Sequence, residues 1–205
     1  MRRGRSAPGF PRFAAGRRAD PTLISGGLLR IAGLGVLING DSGIGKSESA
    51  LELVSRGYRF VSDDVVEVRR NAAGRVLGRS PSLTRHFMEI RGLGIINIRQ
   101  IFGLRAVIPE SPIDLVISLH KWEGGGSSDR LGLKFPQDDV FLGVRVPRLN
   151  IPVAPGRNIA TLIEVASKVQ RLRNRGYHAS QEIVDKLERT LRRRSRAKVG
   201  SVEKR

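Results

Sequence analysis

The 205-residue sequence contains no cysteine, which excludes a disulfide framework and thiolate chemistry. No apolar run approaches the length of a membrane span. The N-terminus, "MRRGRSAPGFPRFAAGRRAD", lacks the apolar stretch of a signal peptide. It is rich in arginine and poor in acids, as transit peptides are, but Pro8, Pro11 and several glycines spoil an amphipathic helix. Residues 1–21 therefore read as a disordered basic tail or as an extension upstream of the true start. A soluble cytoplasmic protein is the expectation. Acids are scarce as well: 19 Asp and Glu stand against 37 Lys and Arg, a net charge of +18.

Such an excess suggests nucleic acid, but its distribution weakens that reading. Residues 1–20 hold six arginines and one aspartate, and residues 186–205 hold nine basic and two acidic side chains. The ends thus carry +5 and +7 of the +18. Solvated basic tails are the plain reading; a basic arm for nucleic acid or an acidic partner is the sharper one. The C-terminal run contains no aromatic on which bases would stack.

Strands and helices alternate along the rest of the chain. "LLRIA" and "LGVLIN" flank Gly33 as two strands joined by a tight turn. A helix follows with Ala50, Leu51, Leu53 and Val54 on one side, ended by Gly57. "YRFVSDDVVEVRR" reads as strand, acid pair, strand, and "NAAG" as a turn. "SPSLTRHFMEIRGLGIINIRQIFG" mixes a short helical pattern with glycine breaks, and loops this apolar are usually packed over something. "IDLVISLHKW" has the continuous apolar character of a strand buried on both faces, with Trp122 as a strand-end core residue. "EGGGSSDR" is a flexible loop, and "VFLGVRVPRLNIPVAPG" reads as one or two short strands broken by prolines. An amphipathic helix then presents Ile159, Leu162, Ile163, Ala166, Val169 and Leu172 on one stripe, with Gly176 beyond its end. Ser180 can cap a last helix with Ile183, Val184, Leu187 and Leu191 on its apolar side, which dissolves into "RRRSRAK". There are no internal repeats. The alternation argues for an α/β core.

The chemistry centres on residues 40–47. Gly40, Gly45, Lys46 and Ser47 spell G-x-x-x-x-G-K-S between a predicted strand and a helix, a phosphate cradle formed by Gly40, Asp41, Ser42, Gly43, Ile44, Gly45, Lys46 and Ser47. The glycines let the backbone approach the phosphates, and the loop N–H groups point at the anion with the helix dipole behind them. Lys46 supplies charge for the β- and γ-phosphates, and Ser47 a hydroxyl ligand for Mg²⁺. Asp63 and Asp64 follow a strand seventeen and eighteen residues after Lys46. Such a pair orders a metal or its water, accepts the proton of an attacking hydroxyl, or is a solvated turn. Glu89 is a lone acid in an apolar stretch, either directed at a metal or paired with Arg91. His86, His120 and His178 have no metal-ligand spacing.

Four stretches carry a resemblance: "GLGVLINGDSGIGKSESALELVSRGYRFVSDD", "FMEIRGLGIINIRQIFG", "DRLGL" and "IPVAPGRN". In this order and spacing, over residues 25 to about 190, they resemble the C-terminal catalytic domain of HPr kinase/phosphorylase, and "MEIRGLGII" is far more specific than the P-loop. The resemblance implies an α/β fold with a P-loop kinase core of the phosphoenolpyruvate carboxykinase-like type and C-terminal helices. It implies a catalytic domain over residues 22–192, with disordered basic tails at 1–21 and 193–205. Such enzymes use ATP or pyrophosphate, with Mg²⁺, to phosphorylate a serine of the phosphocarrier protein HPr. They remove that phosphate by phosphorolysis, and so link bacterial sugar uptake to carbon-source control. They form hexamers.

By position, the resemblance implies that Gly40–Ser47 bind nucleotide and that Ser47 and Glu89 contact Mg²⁺. Lys46, Asp64 with Asp63 beside it, and Arg130 match catalytic positions, Asp64 matching the group that takes and returns the serine proton. Met88–Asn97 match a loop needed in both directions, and Ile151–Gly156 a stretch tied to dephosphorylation. Two departures stand out. Family members carry a further N-terminal domain where this chain has a short Arg/Gly/Pro tail. Ser25-Gly26 also stands where the family has a catalytic histidine followed by glycine, 21 residues before the lysine. The leading reading is a kinase/phosphorylase acting on HPr. The alternatives are a degenerate nucleotide-binding homologue and a nucleic-acid binder driven by the tails.

Overall fold

The structure, a computed structural model, describes residues 22–122 and 137–202, with side chains to residue 192. In chain order the first elements are β1 (Thr22–Ser25), β2 (Gly27–Ile31), β3 (Leu34–Gly40), α1 (Lys46–Ser55), β4 (Arg59–Ser62), β5 (Val65–Arg70) and β6 (Val76–Arg79). The hairpin β7 (Phe87–Ile90) and β8 (Gly94–Asn97) follows, then α2 (Ile98–Phe102) and β9 (Glu110–Pro112). The last are β10 (Leu115–Lys121), β11 (Gln137–Phe141), β12 (Val144–Val153), α3 (Ile159–Arg173) and α4 (Ala179–Val202).

A six-stranded mixed sheet, β11-β12-β10-β3-β2-β4, forms the centre. Its inner strands β12, β10 and β3 run parallel, and the outer pairings are antiparallel. Alternation along each strand sorts its side chains between two cores. Leu29, Ile31, Val36, Ile38, Leu115, Ile117 and Leu119 face the helices, where Ala50, Leu53 and Val54 of α1 and Ala160 and Ile163 of α3 close over them. Leu28, Leu37, Val116 and Val146 face the other way and meet Val66 and Val68 of β5 and Val76 of β6. Those two strands belong to a four-stranded antiparallel sheet, β1-β5-β6-β9. The result is three layers: helices, mixed sheet, antiparallel sheet. β10 has neighbours on both edges and packing on both faces, which is why its sequence reads as an unbroken apolar run.

Helix α1 ends as the sequence predicts. Gly57 takes the left-handed conformation, its N–H donates to Val54 O, and the Tyr58 N–H donates to Leu53 O. That pair of bonds is a Schellman closure. Other expectations are corrected. The short helical pattern in "SPSLTRHFMEIRGLGIINIRQIFG" is α2, capped by the Asn97 side chain on the Gln100 N–H, while "FMEIRGLGIIN" before it forms a β-hairpin that the sequence pattern does not resolve. The prolines of "VRVPRLNIPV" do not break β12, which runs ten residues. Pro147 lies just before the first residue paired with β10, and Pro152 lies beyond the last residue paired with β11, so each stands where one neighbour is missing.

Trp122 is 58% exposed at the end of β10 rather than in a core. On α3 the covered face is Ala160, Ile163, Ser167 and Gln170, while Val169 and Leu172 of the expected stripe are 39% and 42% exposed. Helix α4 begins one residue before Ser180 and continues to Val202 instead of dissolving after Leu191; arginine, alanine and lysine are good helix formers. Its apolar residues Ile183, Leu187 and Leu191 are 54–59% exposed.

The two sheets come into close backbone contact at Gly35. A Cβ there would lie 1.5 Å from the carbonyl oxygen of Pro112 in β9. The Gly35 N–H also donates to the Asp114 carboxylate at 2.9 Å, and the Asp114 N–H donates to Gly35 O at 2.8 Å. Backbone held on both sides cannot move aside for a methyl group. Gly35→Ala should therefore cost about 3 kcal/mol or more of folding stability, at or above the upper end of overpacking costs. Urea denaturation reads this directly, and a loss below about 1 kcal/mol would show that β3 and β9 separate easily.

Candidate functional site

β3 delivers its last residue, Gly40, to the edge of the helix-covered core, where the chain must turn back into α1. Gly40, Gly43 and Gly45 all have positive φ, and a Cβ at Gly40 would lie 2.5 Å from Leu119 O. Here glycine is required both by backbone conformation and by close approach. The buried side chain of Ile44 anchors the loop in the core, and the Ser49 N–H donates to Gly45 O to open the helix. The first N–H groups of α1 stay available, as an anion site at a helix start needs.

Lys46 arches back over this loop. Its Nζ donates to Gly40 O at 2.8 Å and Asp41 O at 2.9 Å. An ammonium has three N–H donors, so one remains for an incoming anion. Arg91 supplies a second cation: its guanidinium stands over Gly43, where a Cβ would lie 3.5 Å from Nη2. Arg91 makes no ion pair with Glu89 or any other acid among the described residues. The sequence offers Arg91 as a partner for Glu89 and within the Met88–Asn97 stretch, not as a cation for the phosphate loop. Its position beside the loop depends on how β7 and β8 pair, which sequence spacing does not reveal.

Ser47 turns its hydroxyl the other way and donates to the Asp63 carboxylate, at 3.1 Å to Oδ2 and 3.3 Å to Oδ1. Asp63 is only 8% exposed. Its pKa is pushed up to about 6, first by burial and then by the neighbouring Asp64 charge, against the opposing hydrogen bonds from Ser47 and from the backbone amides of Asp64 and Glu89. One carboxylate thus joins α1, the end of β4 and β7. Asp64 is exposed in the left-handed region at φ 59°, and its carbonyl accepts from the Gly26 N–H. Neighbouring acids therefore have opposite settings, one buried against Ser47 and one facing solvent. Ser25 is exposed at the end of β1, in register with Val65 and so next to the acid pair.

The structure brings together Gly40–Ser47, Asp63, Asp64 and the backbone of Glu89, whose side chain is exposed. Arg130 lies outside the described residues. Ile151–Val153 pair with Leu119–Lys121, and Leu119 pairs in turn with Gly40, so the 151–156 segment leaves the sheet at the same end as the phosphate loop. The Ser47 hydroxyl and the carboxylates of Asp63 and Glu89 are hard oxygen donors, the type that suits Mg²⁺ shared with a substrate phosphate. No cluster of three or more His, Asp or Glu side chains stands ready as a cage among the described residues.

The family model for the HPr serine kinase C-terminal domain matches residues 17–187. The chain belongs to that family. It is 48% identical over 171 residues to the HPr kinase/phosphorylase of Thermoanaerobacter sp. (strain X514), covering 82% of this chain and 55% of the relative. The HPr kinase/phosphorylase of Bacillus subtilis (strain 168) is 46% identical over 175 residues, covering 85% and 56%. The chain spans somewhat more than half the length of the curated relatives it matches. Among solved structures, the Hpr(Ser) kinase/phosphatase from Coxiella burnetii aligns with a TM-score of 0.71 at 36% identity, covering 79% of this chain and 98% of that one. The expected fold, an α/β P-loop kinase core with C-terminal helices, is borne out. Among the described residues no helix is long and apolar enough to cross a membrane.

The Asp63 environment sets a pH dependence. Its folded pKa of about 6 lies above the ordinary value of 3.8, so between the two the native state holds more protons than the unfolded chain. This contribution to stability is fully present below about pH 4 and is lost as pH rises through 6. Asp63→Asn should abolish that loss. Relative to the parent protein, the variant should gain up to about 3 kcal/mol between pH 4 and pH 7, the equivalent of about two pKa units. Urea denaturation without nucleotide or Mg²⁺ measures it; a difference that stays constant across that range would contradict the assigned environment.

Proposed function

We propose that the chain is a protein-serine kinase and phosphorylase acting on HPr, with ATP or pyrophosphate as donor and Mg²⁺ bound at Ser47, Asp63 and Glu89. The observation that carries the reading is the convergence of the phosphate loop, Lys46 and the Ser47–Asp63 pair at one edge of the sheet. Membership of the HPr serine kinase C-terminal domain family selects the chemistry from the many that a P-loop serves. Bound Mg²⁺ would neutralise phosphate charge. The loop N–H groups and Lys46 hold the β- and γ-phosphates, and Arg91 adds a planar cation at Gly43.

Asp64, exposed beside the site, is the group assigned to take the proton. In the forward direction the serine Oγ forms a bond to the γ-phosphorus, the bond to the β–γ bridging oxygen breaks, and the hydroxyl proton passes to the Asp64 carboxylate. In reverse, an oxygen of inorganic phosphate attacks the phosphoserine phosphorus. The bond to serine Oγ breaks, Asp64 returns the proton to that oxygen, and pyrophosphate leaves. One residue serves both directions by microscopic reversibility. Asp63, bonded to Ser47 and nearly buried, orders the metal side. Arg130 and Ile151–Gly156 would serve the extra anion that phosphorolysis must hold. Assembly into a hexamer is part of the reading, supported by the uncovered apolar residues of α4.

One feature favours a second reading, a homologue that binds nucleotide but transfers phosphate poorly. Ser25 is exposed beside the acid pair, and a serine there is shorter than the expected histidine and never cationic. Incubation with γ-labelled ATP, Mg²⁺ and HPr, followed by inorganic phosphate, separates the two. Label on an HPr serine and then release of pyrophosphate are expected, with Lys46→Ala lowering the rate on the order of 10²–10³-fold while leaving the fold intact. Ser25→His should raise transfer on the order of tenfold, the scale of one charge-assisted contact. Nucleotide binding without transfer in either form would favour the second reading, and near-parental transfer by Lys46→Ala would refute the first.

A further inference from the structure

The phosphate loop is held from its own strand and helix, but also from a part of the chain more than a hundred residues away. Ile159, the first residue of α3, packs its Cδ1 where a Cβ at Gly45 would lie only 3.2 Å away. One residue earlier, Asn158 forms two bonds with its side chain. Its Oδ1 accepts from the Thr161 N–H at 2.7 Å and caps α3, and its Nδ2 donates to Glu52 Oε1 on α1 at 2.9 Å. The Arg56 guanidinium extends the link by reaching Glu52, the Thr161 hydroxyl and Glu164. The turn before Asn158 is tied to β12 through the Arg157 guanidinium on Pro152 O at 2.9 Å.

We propose that Asn158 is a positioning residue for the phosphate loop: its cap of α3 and its bond to Glu52 clamp the start of α3 along the first two turns of α1 and so hold Gly45 in the conformation that presents the loop N–H groups. The proposal rests on the preceding reading only for what the loop holds, a nucleotide phosphate. The cap acts within α3, whereas the bond to Glu52 crosses to α1, whose first residues are Lys46 and Ser47, so a substitution that keeps the cap isolates the crossing bond.

Asn158→Ser separates the two, because serine still caps a helix but is too short to reach Glu52. Glu52→Ala removes the same bond from the other side together with the Arg56–Glu52 ion pair, whereas Glu52→Gln keeps an acceptor for Asn158 and Arg56 and serves as the conservative control. The readouts are ATP affinity and amide hydrogen exchange at residues 41–48, with melting temperature recorded alongside. Asn158→Ser and Glu52→Ala should each speed exchange there and weaken ATP on the order of 5–10-fold, and the double variant should do no worse than either, as for residues coupled by direct contact. Glu52→Gln should stay near the parent, and Asn158→Ser should melt near it. Unchanged exchange in Asn158→Ser, or fully additive effects in the double variant, would overturn the proposal. If the parent protein binds ATP but transfers nothing to HPr, the proposed activity fails while this comparison still stands. If it binds no ATP, exchange at residues 41–48 still decides the clamp.

Discussion

The hydrogen bond from Ser47 to Asp63 joins three parts of the chain that have separate reasons to be where they are. Ser47 is fixed by the start of α1, Asp63 by the end of β4, and Glu89 meets the same carboxylate through its backbone in β7. A carboxylate as buried as Asp63 is unfavourable unless it is hydrogen-bonded, and its raised pKa records that cost. Without Ser47 and the two amides the burial would be more costly still. Such a group is poised for a cation: a metal beside it would replace lost hydration and favour the ionised form.

The fold supplies the rigidity this arrangement needs. β3 and β10 are parallel neighbours with packing on both faces, so the end of β3 that launches the phosphate loop has little freedom. The neighbouring β12 brings the 151–156 segment to the same edge, and α3 returns across α1 to close the loop's far side. Sites at the carboxyl ends of parallel strands are a general feature of α/β sheets, and here the loop, the 151–156 segment and the start of α3 share that edge.

Much of this was legible in local patterns. The strand–glycine loop–helix sequence around Gly40–Ser47, the Schellman stop at Gly57 and the twice-buried β10 all depend on neighbours close in sequence or on simple periodicity. Local patterns mislead where long-range pairing overrides local preference. The β7–β8 hairpin leaves no clear period in its short, glycine-broken stretch, and β12 looks broken because its prolines are harmless only beside missing neighbours. The apolar stripes of α3 and α4 are legible as periodicity, yet Leu172, Ile183, Leu187 and Leu191 stay uncovered in the single chain; periodicity shows which side of a helix is apolar, not what meets it. In the site, the acid pair was legible as a pair, but its division into buried Asp63 and exposed Asp64 required the left-handed backbone at Asp64. Arg91 over Gly43 and Asn158 on Glu52 are contacts across 48 and 106 residues, beyond any spacing rule.

In the proposed function, Asp63, bonded to Ser47, makes the phosphate loop a joint site for nucleotide and divalent cation. The most direct measurement is calorimetric titration of ATP with and without Mg²⁺ at pH 5 and pH 8. At pH 8, above the Asp63 pKa of about 6, the carboxylate is ionised and Mg²⁺ should tighten ATP binding on the order of tenfold; at pH 5 it is protonated and most of that gain should vanish. In Asp63→Asn the gain should be small at both pH values. An equal Mg²⁺ effect at pH 5 and pH 8, unchanged in Asp63→Asn, would contradict the account.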